Sequence, residues 1–371
     1  MARTLEAGLS ATALGLASLI VIADLPGREL LSTPSAARSA LRRDPLDLEA
    51  LRTEALAAAS AGQTSRAARM LEFVAKRTRR DGPTDAWLLR DRLARGDLPG
   101  ALACADALLR LDPAGKTRPM LFALLTTATD FVEARPALSE RLSANPWWRQ
   151  DFLQYLGRHG APSAATSLFS DLAAGPQPAR PSEYAPLINR LVADRDYDGA
   201  IAAWRQAAPR RSGGLLGLRD GDFTQGWDQT PFTWRPADGV GVRSETRDAI
   251  DGPVRRALRI DYDAFGAPTL PAQLLVLPPG RWRLDWRVRA DAEADQRLYW
   301  RFRCADTGKV LAGATGDAAA FVEPGWRSRF LAFEIPAGDC RGQWLELIAV
   351  PGERRASVTA LYTDFSVRSA P

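Results

Sequence analysis

The spacing of apolar residues changes near residues 210–214, and this change limits the fold more than any other feature of the sequence. Before it, Ala, Leu and Arg recur with a helical period. After it, short alternating segments are separated by Gly and Pro. Helical layers and sheet layers each bury their own apolar face, so helices followed by strands predict separate domains. We therefore predict a multidomain chain, with helical repeats over residues 40–210 and an antiparallel β-sandwich over residues 218–371.

The charge of the chain argues against a nucleic-acid partner. The 49 Lys and Arg residues exceed the 44 Asp and Glu residues by only five, and no long basic block occurs. Such a dilute positive charge does not predict nucleic-acid binding, although Arg suits bidentate contact with carboxylates and phosphates. His159 is the single histidine and no CxxC motif occurs, so we predict neither a metal site nor a cofactor.

An uncharged apolar run occupies residues 7–23. As a helix it would be about 26 Å long, which is at the short limit for a membrane span. Small residues at its end also suit a signal peptidase. Residues 1–30 are therefore predicted to be either an uncleaved N-terminal membrane anchor or a cleaved signal peptide, and both would export the rest of the chain. A buried helix is the third interpretation.

Two of the three cysteines, Cys304 and Cys340, fall in the strand half, while Cys104 lies in a helical segment. An exported protein meets oxidising conditions, so a disulfide between Cys304 and Cys340 is expected. Two buried, unpaired thiols are the alternative.

The helical half contains a repeated turn. Residues 62–67 are echoed by residues 96–101, which lie 34 positions later. Residues 85–89, 96–97, 101–102 and 111–113 carry a resemblance to the tetratricopeptide repeat family. That resemblance implies an α-solenoid of helix pairs that holds a protein partner and has no chemistry of its own. Trp147 and Trp148 are then candidate partner contacts, with packing inside a helix pair as the alternative.

Alternation along two segments of the strand half predicts which side chains point inward. In Trp282–Val288 and Leu298–Cys304 the apolar residues share one face and the polar residues the other. Pairing the two segments as a hairpin, with Trp286 opposite Trp300, places all the polar residues on one outer face. The residues of this predicted face are Arg283, Asp285, Arg287, Tyr299, Arg301 and Arg303.

The predicted face suits an anionic or hydroxyl-rich sugar chain, because guanidinium groups donate bidentate hydrogen bonds and a Tyr ring offers a stacking surface. A solvated face with local ion pairs is the alternative. Trp227 and Trp234, with Phe232 between them, form a second candidate sugar platform. At least one of the three is expected to close the end of the sandwich instead.

No catalytic arrangement stands out. A Ser-His-Asp or Cys-His site would need His159, which lies in the helical half. Four carboxylates of the strand half could supply a glycosidase pair, but nothing in the sequence places any two of them together. They are Asp261, Asp263, Glu334 and Glu346. We therefore predict that the protein is not an enzyme.

The strand half resembles a carbohydrate-binding-module-like jelly roll of the galactose-binding type, through residues 220–223, 226–227, 277–280 and 363–367. Repeats followed by such a domain resemble bacterial envelope proteins associated with exopolysaccharide. The resemblance implies an adaptor on the periplasmic side of the inner membrane, or secreted if cleaved. Its expected partners are an envelope protein of a polysaccharide machine and an acidic polysaccharide. A glycan-modifying enzyme and a purely structural assembly factor remain alternatives.

Overall fold

The computed structural model of this protein describes residues 33–78, 80–208, 217–227, 229–248, 255–314 and 325–370. The predicted anchor or signal peptide, residues 1–30, and the change of apolar spacing near residues 210–214 lie outside these ranges. Within them, no helix is both long and apolar enough to cross a membrane.

Helices precede strands along the described chain, which confirms the predicted order of α and then antiparallel β structure. The helices before the first strand are α1 (Pro34–Arg43), α2 (Leu48–Ser60), α3 (Thr64–Arg77), α4 (Gly82–Ala94), α5 (Leu98–Leu111), α6 (Arg118–Thr129), α7 (Arg135–Ser143), α8 (Arg149–His159), α9 (Pro162–Ala174), α10 (Pro181–Ala193) and α11 (Tyr197–Ala207).

The strands follow, with one short helix among them. They are β1 (Val242–Asp248), β2 (Arg256–Tyr262), β3 (Ala272–Leu275), β4 (Gly280–Ala290), then α12 (Ala292–Arg297), β5 (Leu298–Cys304), β6 (Val310–Ala314), β7 (Arg327–Ile335), β8 (Gln343–Ala349) and β9 (Val358–Ser369).

The repeated turn joins two similar helix pairs, α2–α3 and α4–α5. Their first helices begin at positions 48 and 82, and their second helices at positions 64 and 98, so both intervals are 34 residues. Gly62 and Gly96 occupy the turns with φ of +77° and +74°, a conformation that glycine adopts without strain. The predicted period is therefore present in the helices themselves.

The pair α10–α11 has the same construction as α4–α5 at the start of its second helix. Asp97 accepts a hydrogen bond from the Gly100 amide at 3.0 Å, and Asp196 accepts one from the Gly199 amide at 2.9 Å. A Cβ atom at either glycine would overlap the carboxylate that caps the helix. The capping aspartate and the glycine three residues later therefore form one capping motif, which occurs in both helix pairs.

The chain divides into two compact units between Ala179 and Arg180. Helices α1–α9 belong to the first unit, and α10–α11 belong with the strands to the second. This division differs from the predicted one, which placed all helices up to residue 210 in one domain. The difference arises because α10 and α11 pack against the β-sandwich.

The buried carboxylate of Asp106 joins side chains from several helices of the first unit. Asp106 of α5 accepts a hydrogen bond from the indole nitrogen of Trp148 at 2.7 Å and pairs with Arg110 and Arg141. Trp148 is only 1% exposed, so it is a core residue rather than a partner contact. Trp147 is 50% exposed, with the Arg118 guanidinium 5.0 Å from its ring centroid, and it remains a candidate partner contact.

Replacing Asp106 with Ala should lower the free energy of unfolding of the first unit by about 3–5 kcal/mol, because two arginines and an indole N–H lose a buried acceptor. Urea unfolding would measure this change. Asp151→Ala is the matched control, since Asp151 is half-exposed and its pair with Arg118 should contribute at most about 1 kcal/mol. Equal effects of the two substitutions would contradict a structural role for Asp106.

The second unit contains two antiparallel sheets packed face to face. The strand order is β1-β2-β9-β4-β7 in the five-stranded sheet and β3-β8-β5-β6 in the four-stranded sheet. Trp234, Trp300 and Phe365 meet between the sheets, with ring centroids 4.9 to 5.5 Å apart. The inward apolar residues predicted from β4 and β5 lie in this core, except Trp282, which is only partly buried and packs against it.

The predicted hairpin between β4 and β5 is wrong. β4 pairs with β7 and β9, whereas β5 pairs with β6 and β8 in the other sheet. Asp291 caps α12 by accepting a hydrogen bond from the Ala294 amide at 2.7 Å, so a helix rather than a tight turn connects the two strands. The apolar faces of β4 and β5 therefore meet across the interior instead of lying side by side.

A disulfide joins Cys304 at the end of β5 to Cys340 before β8, as predicted from their placement. Their Cα atoms are 5.5 Å apart and 36 residues separate them in sequence. Cys104 is buried in α5, where burial raises the pKa of its thiol to about 11.

Aromatic contacts attach the helix pair α10–α11 to the sandwich. Trp204 of α11 lies against Phe232, with ring centroids 5.5 Å apart, and the Arg219 guanidinium lies 4.5 Å from the Trp204 ring. Trp204 is 2% exposed and Phe232 is 5% exposed. The interface therefore excludes water at its centre.

Polar contacts surround this aromatic centre. Tyr197 donates a hydrogen bond to Asp306 at 3.1 Å, and Arg341 pairs with Asp198 at 2.7 Å. A Cβ atom at Gly342 would lie 2.7 Å from the Tyr197 ring, so glycine permits the close approach of helix and sheet. The helix pair is thus part of the sandwich unit by packing as well as by hydrogen bonding.

A fragment that begins at residue 180 should unfold at a higher temperature than one that begins at residue 218, because the shorter fragment exposes Phe232. Removing a buried aromatic contact of this size should cost about 3–5 kcal/mol. Thermal unfolding followed by circular dichroism measures the difference. Trp204→Ala in the longer fragment should reproduce most of it, and identical midpoints for the two fragments would contradict the observed division into units.

Candidate functional site

The outer surface of the four-stranded sheet gathers charged and aromatic side chains, and we name it the Arg–Glu face. Along β5 and β8, buried residues alternate with half-buried residues that point outward. The face comprises Tyr299, Arg301, Arg303, Trp344, Glu346 and Ile348 from these two strands, with Gly313 on β6 and Arg235 beside β3.

Glu346 occupies the centre of the face between two arginines. Arg301 lies directly opposite on β5 and donates to Oε2 at 2.7 Å, while Arg303 donates to Oε1 at 2.5 Å. Burial alone would raise the pKa of Glu346, but the hydrogen bonds from Arg303 and Arg301 lower it below its ordinary value. The carboxylate is therefore ionised and holds both guanidinium planes in place.

Each arginine keeps donors beyond those that Glu346 uses. An Arg side chain has five N–H donors, and Arg301 gives Glu346 only one of them. The Arg301 Nε is buried and has no hydrogen-bond partner among the described residues. The cluster of one carboxylate and two guanidinium groups carries a net positive charge.

A third guanidinium lies at the β3 side of the face. Arg235 lies 4.6 Å from the ring centroid of Trp344 and donates to the side-chain oxygen of Asn189 at 3.0 Å. Burial lowers its pKa from the ordinary value. Among the described residues no carboxylate pairs with Arg235, so its charge is stabilised by an aromatic ring and a neutral amide.

A flat aromatic surface lies on the opposite side of the face. A Cβ atom at Gly313 would lie 3.5 Å from the Tyr299 ring, so the ring packs over the bare backbone of β6. Tyr299 stands next to Arg301 along the outward side of β5. Aromatic rings therefore border the charged centre on both sides.

The predicted single Arg-rich face is wrong, because the polar residues of β4 and β5 belong to different sheets. Arg283 and Asp285 lie on the outside of the five-stranded sheet and pair with each other at 2.8 Å. Arg287 lies there too, 3.7 Å from Asp364. These three match the alternative expectation of a solvated face with local ion pairs, while the β5 residues lie on the Arg–Glu face.

The second predicted platform is mostly internal. Trp234 is 1% exposed and donates a hydrogen bond from its indole nitrogen to the Asp220 carbonyl at 2.9 Å, so it fills the sandwich and cannot bind sugar. Phe232 is covered by α11. Trp227 is partly buried against the core, which leaves it as the remaining candidate of this group.

The carboxylates considered for catalysis are engaged by different arginines, although Asp261 and Asp263 line the same cleft. Asp261 pairs with Arg259 at 2.8 Å, Asp263 lies 3.7 Å from Arg355, and Glu346 pairs with Arg301 and Arg303. His159 is the last residue of α8. No group of three or more metal-ligating side chains occurs in the part of the chain that the structure describes.

Sequence reasoning missed three charged or aromatic members of the face, which are Glu346, Trp344 and Arg235. The alternation in Gln343–Ala349 predicts that Trp344 and Glu346 share one side of a strand. It does not reveal that this strand pairs with β5, because the contact between Arg301 and Glu346 spans 45 residues. No local signal marks Arg235.

No protein-family model matches this chain, and no curated protein matches it. Among solved structures, an arabinose-bound α-L-arabinofuranosidase is 14% identical over 42% of the chain, with a TM-score of 0.30, and this chain spans only 27% of its length. A family 61 carbohydrate-binding module in complex with β-1,4-galactotriose is 15% identical over 42% of this chain and 95% of its own, with a TM-score of 0.26. The family 22 xylan-binding domain from Paenibacillus barcinonensis is 15% identical over 37% of this chain and 85% of its own, also with a TM-score of 0.26. Similarities this low assign no binding residue.

Glu346→Gln should lower the free energy of unfolding of the second unit by about 1–3 kcal/mol near neutral pH, because two half-buried arginines lose their counter-charge. The folded-state pKa of Glu346 lies below its ordinary value of 4.5. Its contribution is therefore complete above that value and is lost as the pH falls through the lowered pKa. Urea unfolding at several pH values should show the gap between the two proteins closing in strong acid.

Glu334→Gln is the matched control, since Glu334 is an exposed carboxylate on the five-stranded sheet. It should change the free energy of unfolding by less than about 1 kcal/mol at any pH. A wild-type advantage over Glu346→Gln that stays constant down to strong acid would show that Glu346 acts through packing rather than through its charge.

Proposed function

We propose that this protein is a non-enzymatic adaptor of a bacterial cell envelope that binds an acidic polysaccharide on its Arg–Glu face. The observation that carries the proposal is a group of three guanidinium groups on one face: Arg301 and Arg303 are held by Glu346, and Arg235 lies over the ring of Trp344. The glycan-binding part of the proposal rests on this side-chain geometry, because the similarities to solved structures are too low to support a transfer of function.

Uronic-acid and other anionic sugars present planar carboxylates next to hydroxyl groups. Planar guanidinium groups bind carboxylates through two parallel hydrogen bonds, and rings such as Trp344 and Tyr299 bind the apolar faces of sugar rings. Arg235 has no carboxylate partner among the described residues, so an anionic ligand would supply the missing counter-charge. The face therefore favours an acidic over a neutral chain.

The state of Glu346 favours binding over catalysis. A general acid in a glycosidase needs a raised pKa, whereas two arginines lower that of Glu346. Its oxygens are also engaged by Arg301 and Arg303, so they orient donors rather than face a substrate bond. An ionised carboxylate that orients arginine donors is sufficient for a binding surface.

The helical unit supplies the second half of the adaptor role. Helix pairs with a 34-residue interval are typical of tetratricopeptide-like arrays, which hold protein partners. The half-exposed Trp147, with Arg118 over its ring, is a suitable anchor for such a partner. We propose an envelope protein of a polysaccharide synthesis or export machine as this partner.

The proposed location follows from the sequence. The apolar run at residues 7–23 is typical of an export signal or anchor. A disulfide between Cys304 and Cys340 suits an oxidising compartment. Both favour the periplasmic side of the inner membrane, or secretion if the segment is cleaved.

The full chain should bind alginate, a uronic-acid polymer, more tightly than dextran, a neutral polymer of similar length. Arg301→Lys and Arg303→Lys keep the charge but remove the bidentate geometry, and Arg235→Ala removes the unpaired cation. Each should weaken alginate binding roughly tenfold to a hundredfold, since a charge-assisted hydrogen bond contributes about 1.5–3 kcal/mol. Biolayer interferometry at low and moderate salt measures these affinities.

Arg283→Lys is the matched control, because Arg283 is also a half-exposed arginine paired with a carboxylate, but on the other sheet. It should leave the alginate affinity unchanged. Equal binding of alginate and dextran, or equal losses with Arg283→Lys and Arg301→Lys, would refute the Arg–Glu face as the binding site. Hydrolysis of either polymer by the wild-type chain would refute the non-enzymatic role.

A further inference from the structure

An open cleft of about 530 Å³ lies at one end of the β-sandwich, where β2 ends and β1 and β9 begin. Its volume falls within the range of small-molecule sites, which is roughly 300–1,000 Å³. Arg243, Asp261, Asp263, Arg355 and Ser357 supply polar groups to its walls. None of these residues belongs to the Arg–Glu face.

Backbone hydrogen bonds hold Asp263 in the wall of the cleft. Asp263 accepts a hydrogen bond from the Phe265 amide at 3.0 Å, and the carbonyl of Gly241 accepts one from the Asp263 amide at 2.8 Å. Gly241 has φ of +83°, and a Cβ atom there would lie 2.5 Å from the Asp263 carboxylate. The backbone thus approaches the carboxylate as closely as glycine allows, and this approach fixes the position of Asp263.

Two exposed apolar side chains neighbour residues that line the cleft. Phe265 follows Asp263 and is 50% exposed, with the Arg355 guanidinium 5.4 Å from its ring centroid. Val240, immediately before Gly241, is 90% exposed. Polar walls with an exposed aromatic ring beside Arg355 suit a sugar ring, whose hydroxyl edges form hydrogen bonds while its C–H faces pack on aromatic carbon.

The charges in the cleft are balanced within the protein. Arg243 pairs with Glu245 at 2.8 Å, Arg259 pairs with Asp261, and Arg355 lies 3.7 Å from Asp263. Thr359 also donates to Asp261 at 2.8 Å. With each of these cations next to a carboxylate, no net charge favours an anion here, in contrast to the Arg–Glu face.

We propose that this cleft is a second carbohydrate site that binds the hydroxyl-rich ring of a neutral sugar. Asp263, Ser357 and Arg355 bind the hydroxyl groups, and Phe265 packs against the ring. The site goes beyond the proposed function and does not require it, since the two sites share no residue. If both sites are occupied, one protein can hold a charged and an uncharged segment of a heteropolysaccharide.

The test uses the full chain and three neutral trisaccharides, which are β-1,4-galactotriose, cellotriose and xylotriose, with isothermal titration calorimetry at low and moderate salt. At least one trisaccharide should bind at millimolar concentration or below, with an affinity that does not change with salt. Phe265→Ala, Arg355→Ala and Ser357→Trp, which places an indole in the cleft, should each weaken it at least about tenfold.

Phe330→Ala and Arg283→Ala are the matched controls. Phe330 is 59% exposed and the Arg283 guanidinium lies 4.1 Å from its ring centroid, so the pair reproduces the Phe265–Arg355 arrangement away from this cleft. Both controls should retain trisaccharide binding, and so should Arg301→Lys. Absence of binding to all three trisaccharides, or binding that survives Ser357→Trp, would overturn the proposal. Loss of alginate binding in Arg301→Lys with trisaccharide binding intact separates this site from the Arg–Glu face.

Discussion

The aromatic contact between the two sheets determines which side chains can reach solvent in the second unit. Trp300 packs edge-on against Phe365 with ring centroids 4.9 Å apart, and Trp234 contacts both rings. Once Trp300 points into this cluster, pleating sends Arg301 outward on β5. Because β8 is the neighbour of β5, the strand register then brings Glu346 opposite Arg301. The charged centre of the Arg–Glu face is therefore a consequence of how the core is filled.

Alternation in sequence predicts the face of a strand but not its neighbour. It placed Leu284, Trp286 and Trp300 in the core, and all three are buried. It also suggested a hairpin between β4 and β5. The only requirement was that the apolar residues of paired strands lie on the same side of the sheet, and many strands meet that requirement. The choice among them depends on the connection, and here Asp291 initiates a short helix that carries the chain to the other sheet. Glu346 could not be assigned to the site, since its partners are far away in sequence.

The helix pair α10–α11 shows that a local sequence motif does not determine what a helix pair packs against. Asp196 and Gly199 repeat the cap of Asp97 and Gly100, and this pair lies within the range of residues 40–210 that was predicted to be helical. The same local motif is compatible with stacking on a preceding pair or on a sheet. The contact of Trp204 with Phe232 places the pair on the sheet. The repeat pattern does not include Phe232, so it could not predict this contact. The border between units consequently lies before α10, where composition alone gives no indication of it.

The arginine-based construction of the Arg–Glu face has a consequence for how a ligand could be released. Arginine stays protonated throughout the physiological range, and the lowered pKa of Glu346 keeps that carboxylate ionised in moderate acid. Histidine, the side chain that senses mild acidification, occurs once in the sequence and lies in the other unit. An anion held on this face would therefore remain bound as its surroundings acidify. Its dissociation would respond to ionic strength or to a competing polyanion rather than to mild acid.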